Sequence, residues 1–295
     1  MSYAAQERRI RELAAKIIAS GEAPLVIGFK RNPQTGRCAP AFAGSEAECS
    51  ALAWDETCGF NLAAYLNEIS GRAAVVMKPC DARLAVNLMV EGQLDRSNLV
   101  IIGVQCTGMT HEGRAAPSCK VCTVATPPVY DYFVDENGGG DASVTAVPIA
   151  QKAGAENGGG RGVMALTPRE RREKFNRELD KCILCFACRQ ACAGCYCKTC
   201  FMDRSMVDWR SAAPLRSDKE TYHLTRMMHL AGRCVGCGAC EKACPSGVDL
   251  SYIGSAVRDF IGDLYGYQAG MDPEARQVMN SYAVSDRQIG FLGGE

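Results

Sequence analysis

The chain carries no net charge: its 295 residues include 33 lysines and arginines and 33 aspartates and glutamates. A protein without an excess of either sign has no general attraction to nucleic acid or to an anionic membrane. No stretch approaches the ~20 consecutive apolar residues that a membrane-spanning helix requires. The charged beginning, MSYAAQERRIRELAAK, lacks the apolar core of a signal peptide. We therefore expect a soluble, cytoplasmic protein that does not bind nucleic acid.

The usual patterns of catalytic residues are also missing. The histidines, His111, His223 and His229, show no H-x3-H spacing, and the last two fall on different faces of a predicted helix, so we expect structural roles for them. No Ser-His-Asp or paired-carboxylate arrangement stands out. No G-x-G-x-x-G follows a strand, and there is no Walker-type loop. The sequence offers no candidate for nucleophilic or general acid–base catalysis.

Cysteine, in contrast, is abundant, with 18 residues. Cytoplasmic thiols stay reduced, so cysteine at this density indicates bound metal rather than disulfides. Exposed iron–sulfur clusters are often sensitive to oxygen, so we expect an anaerobic host.

Eight of these cysteines form two C-x2-C-x2-C-x3-C runs, the second followed by Pro245. This spacing is typical of 4Fe–4S clusters, and the fourth cysteine of each run usually binds the other run's cluster. Zinc sites more often supply C-x2-C pairs. We predict one cluster on Cys234, Cys237, Cys240 and Cys192, and a second on Cys182, Cys185, Cys188 and Cys244.

The first run departs from the ferredoxin pattern, because Ala193 stands where proline is usual. Three more cysteines follow directly, Cys195, Cys197 and Cys200. Cys195 could replace Cys192 as a ligand, the three could begin another metal site, or they could be buried thiols that act as small apolar residues.

Residues 1–135 alternate between helical and strand-like segments. We predict helices at 6–20, 62–69 and 82–91, and apolar strands at 25–29, 73–77 and 99–104. Strand, helix and strand with continuous apolar strands indicate a parallel sheet with a crossover helix. We therefore predict an α/β N-terminal domain.

A glycine-rich segment follows, with ENGGG at 136–140 and again at 156–160. We predict a linker over 136–166, with a possible short strand at 142–149. From Thr167 a capping box begins a helix, and further helices are predicted at 219–230 and 252–265. Residues 167–295 are thus predicted to be a mainly helical, two-cluster ferredoxin-like domain.

Four N-terminal cysteines suggest a third cluster. Cys80 and Cys106 each follow a predicted parallel strand, so both should emerge at the carboxyl edge of the sheet, where α/β folds bind ligands. Cys119 and Cys122 form a C-x2-C pair in a later loop. The spacing alone is a weak signal, because single buried cysteines are common.

Several segments resemble a known family: VIGFKR, WDETCGFNLAAYL, AVVMKPCDARLAVNLMVEGQLDRSNLVIIGVQCTGM, SCKVCTVATPPVYDYFV, and the two ferredoxin runs with their flanks. They are similar to beta subunits of deazaflavin-reducing hydrogenases and formate dehydrogenases, in versions that carry a ferredoxin module and are associated with heterodisulfide-reductase-like complexes. The resemblance covers roughly residues 24–135 and 165–250. It implies a cluster on Cys80, Cys106, Cys119 and Cys122, with Cys58 as the next candidate ligand and Cys38 and Cys49 as plain thiols.

Beta subunits of this family typically bind FAD and exchange hydride with deazaflavin. The region that would complete a flavin pocket is short here. Lys78, Asp81 and Arg83 could orient a flavin phosphate or tune the cluster, although Asp81 also stands where a helix N-cap is expected.

We therefore expect an iron–sulfur electron-transfer subunit with three 4Fe–4S clusters in a soluble hetero-oligomeric oxidoreductase. The resemblance implies a heterodisulfide-reductase-like flavoprotein, a hydrogenase or a formate dehydrogenase as partner. The alternative is an FAD-binding catalytic subunit that exchanges hydride with deazaflavin or NAD(P)H. A zinc-bearing interaction module fits less well, since no basic run suggests nucleic acid.

Overall fold

A computed structural model describes residues 3–139, 163, 165–203, 214–282 and 284. The predicted strand at 142–149 and most of the predicted linker lie outside these residues. No helix in the described ranges is long and apolar enough to cross a bilayer.

The N-terminal half is built on a five-stranded sheet in which three of the four pairings are parallel. The order along the sheet is β2 (Cys38–Ala43), β1 (Val26–Arg31), β3 (Ala73–Met77), β4 (Leu99–Val104) and β7 (Tyr132–Val134). The β3 and β4 predictions are confirmed, and every residue of both strands is buried. Because successive side chains of a strand point to opposite faces, complete burial means that both faces of the sheet are covered here. This is expected for continuous apolar strands.

Helices and short segments surround this sheet. The helices are α1 (Ala4–Ser20), α2 (Glu46–Ser50), α3 (Pro79–Val90) and α4 (Pro117–Lys120), and a small hairpin joins β5 (Thr110–His111) to β6 (Arg114–Ala115). The helix predicted at 62–69 is a 3-10 helix over Leu62–Glu68. Leu62, Ala63 and Leu66 of this 3-10 helix are buried, while the residues at its end are exposed.

The start of α3 corrects one prediction. The helix begins at Pro79, and Lys78 occupies the N-cap position. Asp81 therefore stands at the third helical position, where its carboxylate accepts a hydrogen bond from the Lys78 backbone N–H at 3.1 Å. Asp81 still satisfies a backbone group at the helix start, but from inside the helix rather than as its N-cap.

The described C-terminal segments are helical. They comprise α5 (Pro168–Lys181), α6 (Ala187–Gln190), a 3-10 turn (Phe201–Asp203), α7 (Arg216–His229), α8 (Ala239–Lys242) and α9 (Leu250–Tyr265). The predicted capping box of Thr167 with Glu170 is confirmed. These helices share an apolar cluster that is separate from the N-terminal one, while Ala193, Val235 and Ala269 pack into the N-terminal core.

Candidate metal centres

A cavity of about 100 Å³ lies where β3 and β4 end, and all four cysteines predicted for the N-terminal cluster line it. Cys80 is in the first turn of α3, and Cys106 follows β4 by two residues. Cys119 belongs to α4, with Cys122 just beyond it. Burial raises the pKa of the Cys80 thiol well above its usual value. Four sulfur donors around one buried cavity suit an iron–sulfur cluster, since thiolates are its ligands.

The second ferredoxin run forms the opposite wall of this cavity. Val235, Gly236 and Cys237 line it together with Lys242. The Ser118 hydroxyl donates to the carbonyl of Cys237 at 3.3 Å, and Lys242 Nζ donates to the carbonyl of Gly59 at 3.0 Å. The C-terminal helical segment is therefore held directly against the N-terminal cysteines.

A second cavity, of about 40 Å³, is lined by three cysteines of the second run and by one from the first. They are Cys192, Cys234, Cys237 and Cys240, the set that crossed pairing of the two runs predicts for one cluster. Cys195 is not among the residues that line it. Burial raises the pKa of Cys237 to about 12, so a bound metal would be needed to stabilise its thiolate form near neutral pH.

The two cysteine loops have the same backbone shape. Residues Leu184 and Phe186 in the first loop have positive φ, as do Gly236 and Gly238 at the matching positions of the second. Each loop leads into a short helix, α6 or α8, and these two helices pack together. Two matching loops whose following helices are in contact suit an exchange of the fourth cysteine between the two runs.

The remaining ferredoxin cysteines are held by backbone and side-chain donors. The N–H of Leu184 points to Cys182 Sγ at 3.4 Å, and the N–H of Val248 points to Cys244 Sγ at 3.4 Å. Burial chiefly raises the pKa of Cys182, with smaller contributions from nearby Cys188 and Cys244. Cys185 is exposed. N–H groups aimed at sulfur stabilise thiolates and tune cluster potential.

Tyr222, His223 and Arg226 of α7 face these cysteines. The sequence analysis considered only His223 and expected a structural role for it. The Tyr222 hydroxyl lies 3.3 Å from Cys188 Sγ, and His223 Nε2 lies 3.3 Å from Cys182 Sγ. Burial, reinforced by Arg226, lowers the pKa of His223 to about 4, so its ring is neutral. The four-residue spacing of Tyr222 and Arg226 places them on one helix face, but their sequence does not say what that face contacts.

Arg226 is a buried cation between the two cysteine loops. It lines the second cavity, and its Nη2 donates to the Cys188 carbonyl at 3.1 Å. Among the residues that the structure describes, its Nε and Nη1 find no hydrogen-bond partner. A buried, incompletely paired guanidinium is costly, and an anionic group in the adjoining cavity would compensate it. The site therefore fits a negatively charged thiolate–iron cluster.

The residues suggested for a flavin phosphate are engaged within the protein. Lys78 Nζ contacts Asp81 Oδ2 at 2.7 Å and the Phe60 carbonyl at 2.8 Å. Arg83 donates to the carbonyls of Ala269 and Val235 at 3.0 and 3.3 Å. Lys78 and Arg83 also line the first cavity, so both cations lie beside the N-terminal cysteines.

The three additional cysteines, Cys195, Cys197 and Cys200, line a third cavity of about 270 Å³ with Arg189, Arg226 and His229. None of the three lines the first two cavities, but Gly194, Arg226 and Arg233 line both the second and the third cavity, which are therefore neighbours. Cys58 is not among the residues that line the cavity around Cys80; instead it lies beside Cys38 and Asp55.

Comparisons with known proteins match one domain family and two formate dehydrogenase subunits. Residues 225–246, which include the second cysteine run, match the 4Fe-4S binding domain family Fer4_2. The chain is 30% identical over 108 residues to the F420-dependent formate dehydrogenase subunit beta of Methanocaldococcus jannaschii, a match that covers 37% of the chain and 28% of the relative. It is 36% identical over 103 residues to the F420-dependent formate dehydrogenase 1 subunit beta of Methanococcus maripaludis, covering 35% of the chain and 26% of the relative.

These matches span only about a quarter of the relatives' own length. The predicted likeness to formate dehydrogenase beta subunits is confirmed, and the hydrogenase and heterodisulfide-reductase associations stay predictions. The relatives are subunits of formate dehydrogenases, which are oxidoreductases. Over part of its length the chain is homologous to the beta subunits of F420-dependent formate dehydrogenases, and it carries a 4Fe-4S binding domain.

Proposed function

We propose that this chain is an electron-transfer subunit of an oxidoreductase complex and holds three 4Fe–4S clusters. The observation that carries the proposal is that Cys237 lines both the first and the second cavity. The two cavities also share Val235, Gly236 and Arg258 as lining residues, so the two sites are close neighbours. Such an arrangement suits an electron relay, because one-electron carriers in contact exchange electrons without a mobile mediator.

The proposed ligands divide into three sets. The N-terminal set is Cys80, Cys106, Cys119 and Cys122; the second is Cys192, Cys234, Cys237 and Cys240; the third is Cys182, Cys185, Cys188 and Cys244. Iron–sulfur clusters supply single-electron transfer when bound. The chain holds the thiolates in position and shields most of them partly from water. His223 and backbone N–H groups are directed toward sulfur atoms, and Arg226 places a positive charge beside the second cavity.

The proposed partners are other redox subunits. The relatives' names support a formate dehydrogenase as one of them, while a hydrogenase or a heterodisulfide-reductase-like flavoprotein rests on the sequence resemblance alone. The contacts of Lys78 and Arg83 favour a role beside the N-terminal cysteines over a role in holding flavin. The electron-transfer function is therefore preferred to hydride exchange on FAD in this chain.

Substitution at the shared wall tests the proposal. Anaerobically purified wild-type protein should accept about three electrons in a reductive titration, one for each 4Fe–4S cluster. Cys237→Ser should accept fewer, because it removes a ligand and alters the wall between two sites. Cys49→Ser is the matched control, since Cys49 is fully buried but outside all three sets. Equal electron uptake by Cys237→Ser and wild type would contradict the proposal.

A further inference from the structure

Cys38, Asp55 and Cys58 form a compact donor group, and none of the three lines the cavities described above. Within the described part of the chain, this is the one set of three histidine, cysteine or acidic residues whose ligand atoms all lie within 4.8 Å of one another. All three residues are buried, with exposed fractions of 2%, 8% and 0%. The cluster cysteines are spread more widely, as expected for ligands around several iron atoms rather than one ion.

Local structure fixes these donors from two directions. Cys38 begins β2 and pairs with Arg31 of β1, and its N–H donates to the Thr57 hydroxyl at 2.9 Å. Asp55 and Cys58 belong to one tight turn, closed by a hydrogen bond from the Cys58 N–H to the Asp55 carbonyl at 3.1 Å. The donors are therefore held together by the strand pairing and the turn, independently of any ion.

The spacing matches a tetrahedral ion. Cys38 Sγ lies 3.5 Å from Asp55 Oδ2. Zinc binds sulfur at ~2.3 Å and carboxylate oxygen at ~2.1 Å, so tetrahedral geometry holds these two donors roughly 3.6 Å apart. The backbone N–H of Asp55 points to Cys58 Sγ at 3.3 Å, and the N–H of Thr57 fixes Asp55 Oδ1 at 2.7 Å. Hydrogen bonds of this kind orient metal ligands.

Charge also favours a divalent ion. Two thiolates and one carboxylate carry three negative charges, and Arg31 pairs with Asp55 Oδ2 at 2.6 Å. A divalent ion would bring the group of donors, arginine and metal to neutrality, which burial demands. Two sulfurs and one oxygen suit zinc better than magnesium or calcium, because hard cations prefer oxygen.

We propose that Cys38, Asp55 and Cys58 bind a zinc ion, which joins the start of β2 to the turn at residues 55–58. Three protein ligands leave a fourth coordination position for a water molecule. The site is separate from the proposed electron relay, and its failure would leave the cluster assignments unchanged.

The experiment measures zinc and iron in the full chain, purified anaerobically from cells supplied with zinc. Wild type should hold about one zinc per chain, and X-ray absorption at the zinc edge should show two sulfur neighbours at ~2.3 Å together with oxygen. Cys38→Ser and Cys58→Ser should lose this zinc, and Asp55→Asn should bind it more weakly. Cys49→Ser should retain it, and iron content should be unchanged in all four variants.

Three results would overturn the proposal. The wild-type chain could contain no zinc, or the zinc could persist in Cys38→Ser, which would locate it at other cysteines. The intact mass could also be lower by two hydrogens, with Cys38 and Cys58 linked as a disulfide after purification. Iron content in the same samples reports whether each variant has folded.

Discussion

Nε2 of His223 lies 3.3 Å from Sγ of Cys182, which joins the middle of α7 to the first ferredoxin loop. Because the low pKa of His223 keeps its ring neutral, only one ring nitrogen carries a proton, and a thiolate at Cys182 would select Nε2 for it. Hydrogen bonds to cluster sulfurs tune the reduction potential. We predict that His223→Leu makes one cluster potential more negative, whereas His223→Gln, which keeps an N–H donor, changes it less.

A redox titration followed by electron paramagnetic resonance checks this prediction. His229→Leu is the control, since His229 is on the same helix but exposed. A potential unchanged in His223→Leu would show that the contact does not act on the cluster.

Arg226 provides a second test, based on charge. Arg226 lines the second cavity, and no described residue forms a hydrogen bond with its buried Nε and Nη1. We predict that Arg226→Met loses about four iron atoms, the content of one cluster, because the positive charge that stabilises the thiolate–iron unit is gone. Arg226→Lys should retain more iron. Arg169→Met, at a side chain that is 88% exposed, should retain all of it, and equal iron loss from Arg169→Met and Arg226→Met would refute the prediction.

Gly238 has a steric role at the contact between the two halves. Its φ is +70°, and an added Cβ would overlap the Ser118 hydroxyl and lie 2.8 Å from the Ser118 Cβ. We predict that Gly238→Ala destabilises the protein by about 2–4 kcal/mol, from left-handed strain and overpacking together. Gly247→Ala is the matched control, because Gly247 has φ +61° but no atom of the described residues lies within 4 Å of the added Cβ. This substitution should cost about 1–2 kcal/mol.

Thermal unfolding followed by circular dichroism ranks these variants. Adding Ser118→Gly to Gly238→Ala removes the clashing side chain. The double variant should therefore recover the part of the stability loss that overpacking causes. If the double variant is no more stable than Gly238→Ala, the clash with Ser118 is not the cause.

The Lys78–Asp81 pair is buried, with the two side chains 2% and 0% exposed. Removing one partner leaves an uncompensated charge, so we predict that Lys78→Met costs about 3–5 kcal/mol. The double variant Lys78→Met with Asp81→Asn should recover part of that loss, since no buried charge remains. The midpoints of thermal unfolding of the single and double variants test this prediction. A double variant less stable than Lys78→Met alone would contradict it.

Local sequence signals predicted the central strands, and they placed Cys80 and Cys106 at the carboxyl edge of the sheet. Both strands are continuous apolar runs, and parallel strands bring their carboxyl ends to one edge. The sequence analysis missed β2, because CAPAFA alternates weakly and contains Pro40; proline is tolerated there since β2 is an edge strand. It also missed the contacts of α7 and the common wall at Cys237, because both depend on packing between segments far apart in the chain.

The central claim is that this chain holds three 4Fe–4S clusters, and chemical analysis of iron, acid-labile sulfide and flavin in the anaerobically purified chain tests it most directly. We predict about 12 iron and about 12 sulfide per chain, four of each for every cluster, and no stoichiometric flavin. About 8 iron atoms per chain would mean that one of the three proposed clusters is absent. One FAD per chain would contradict the role of a pure electron relay and make this subunit a site of hydride chemistry.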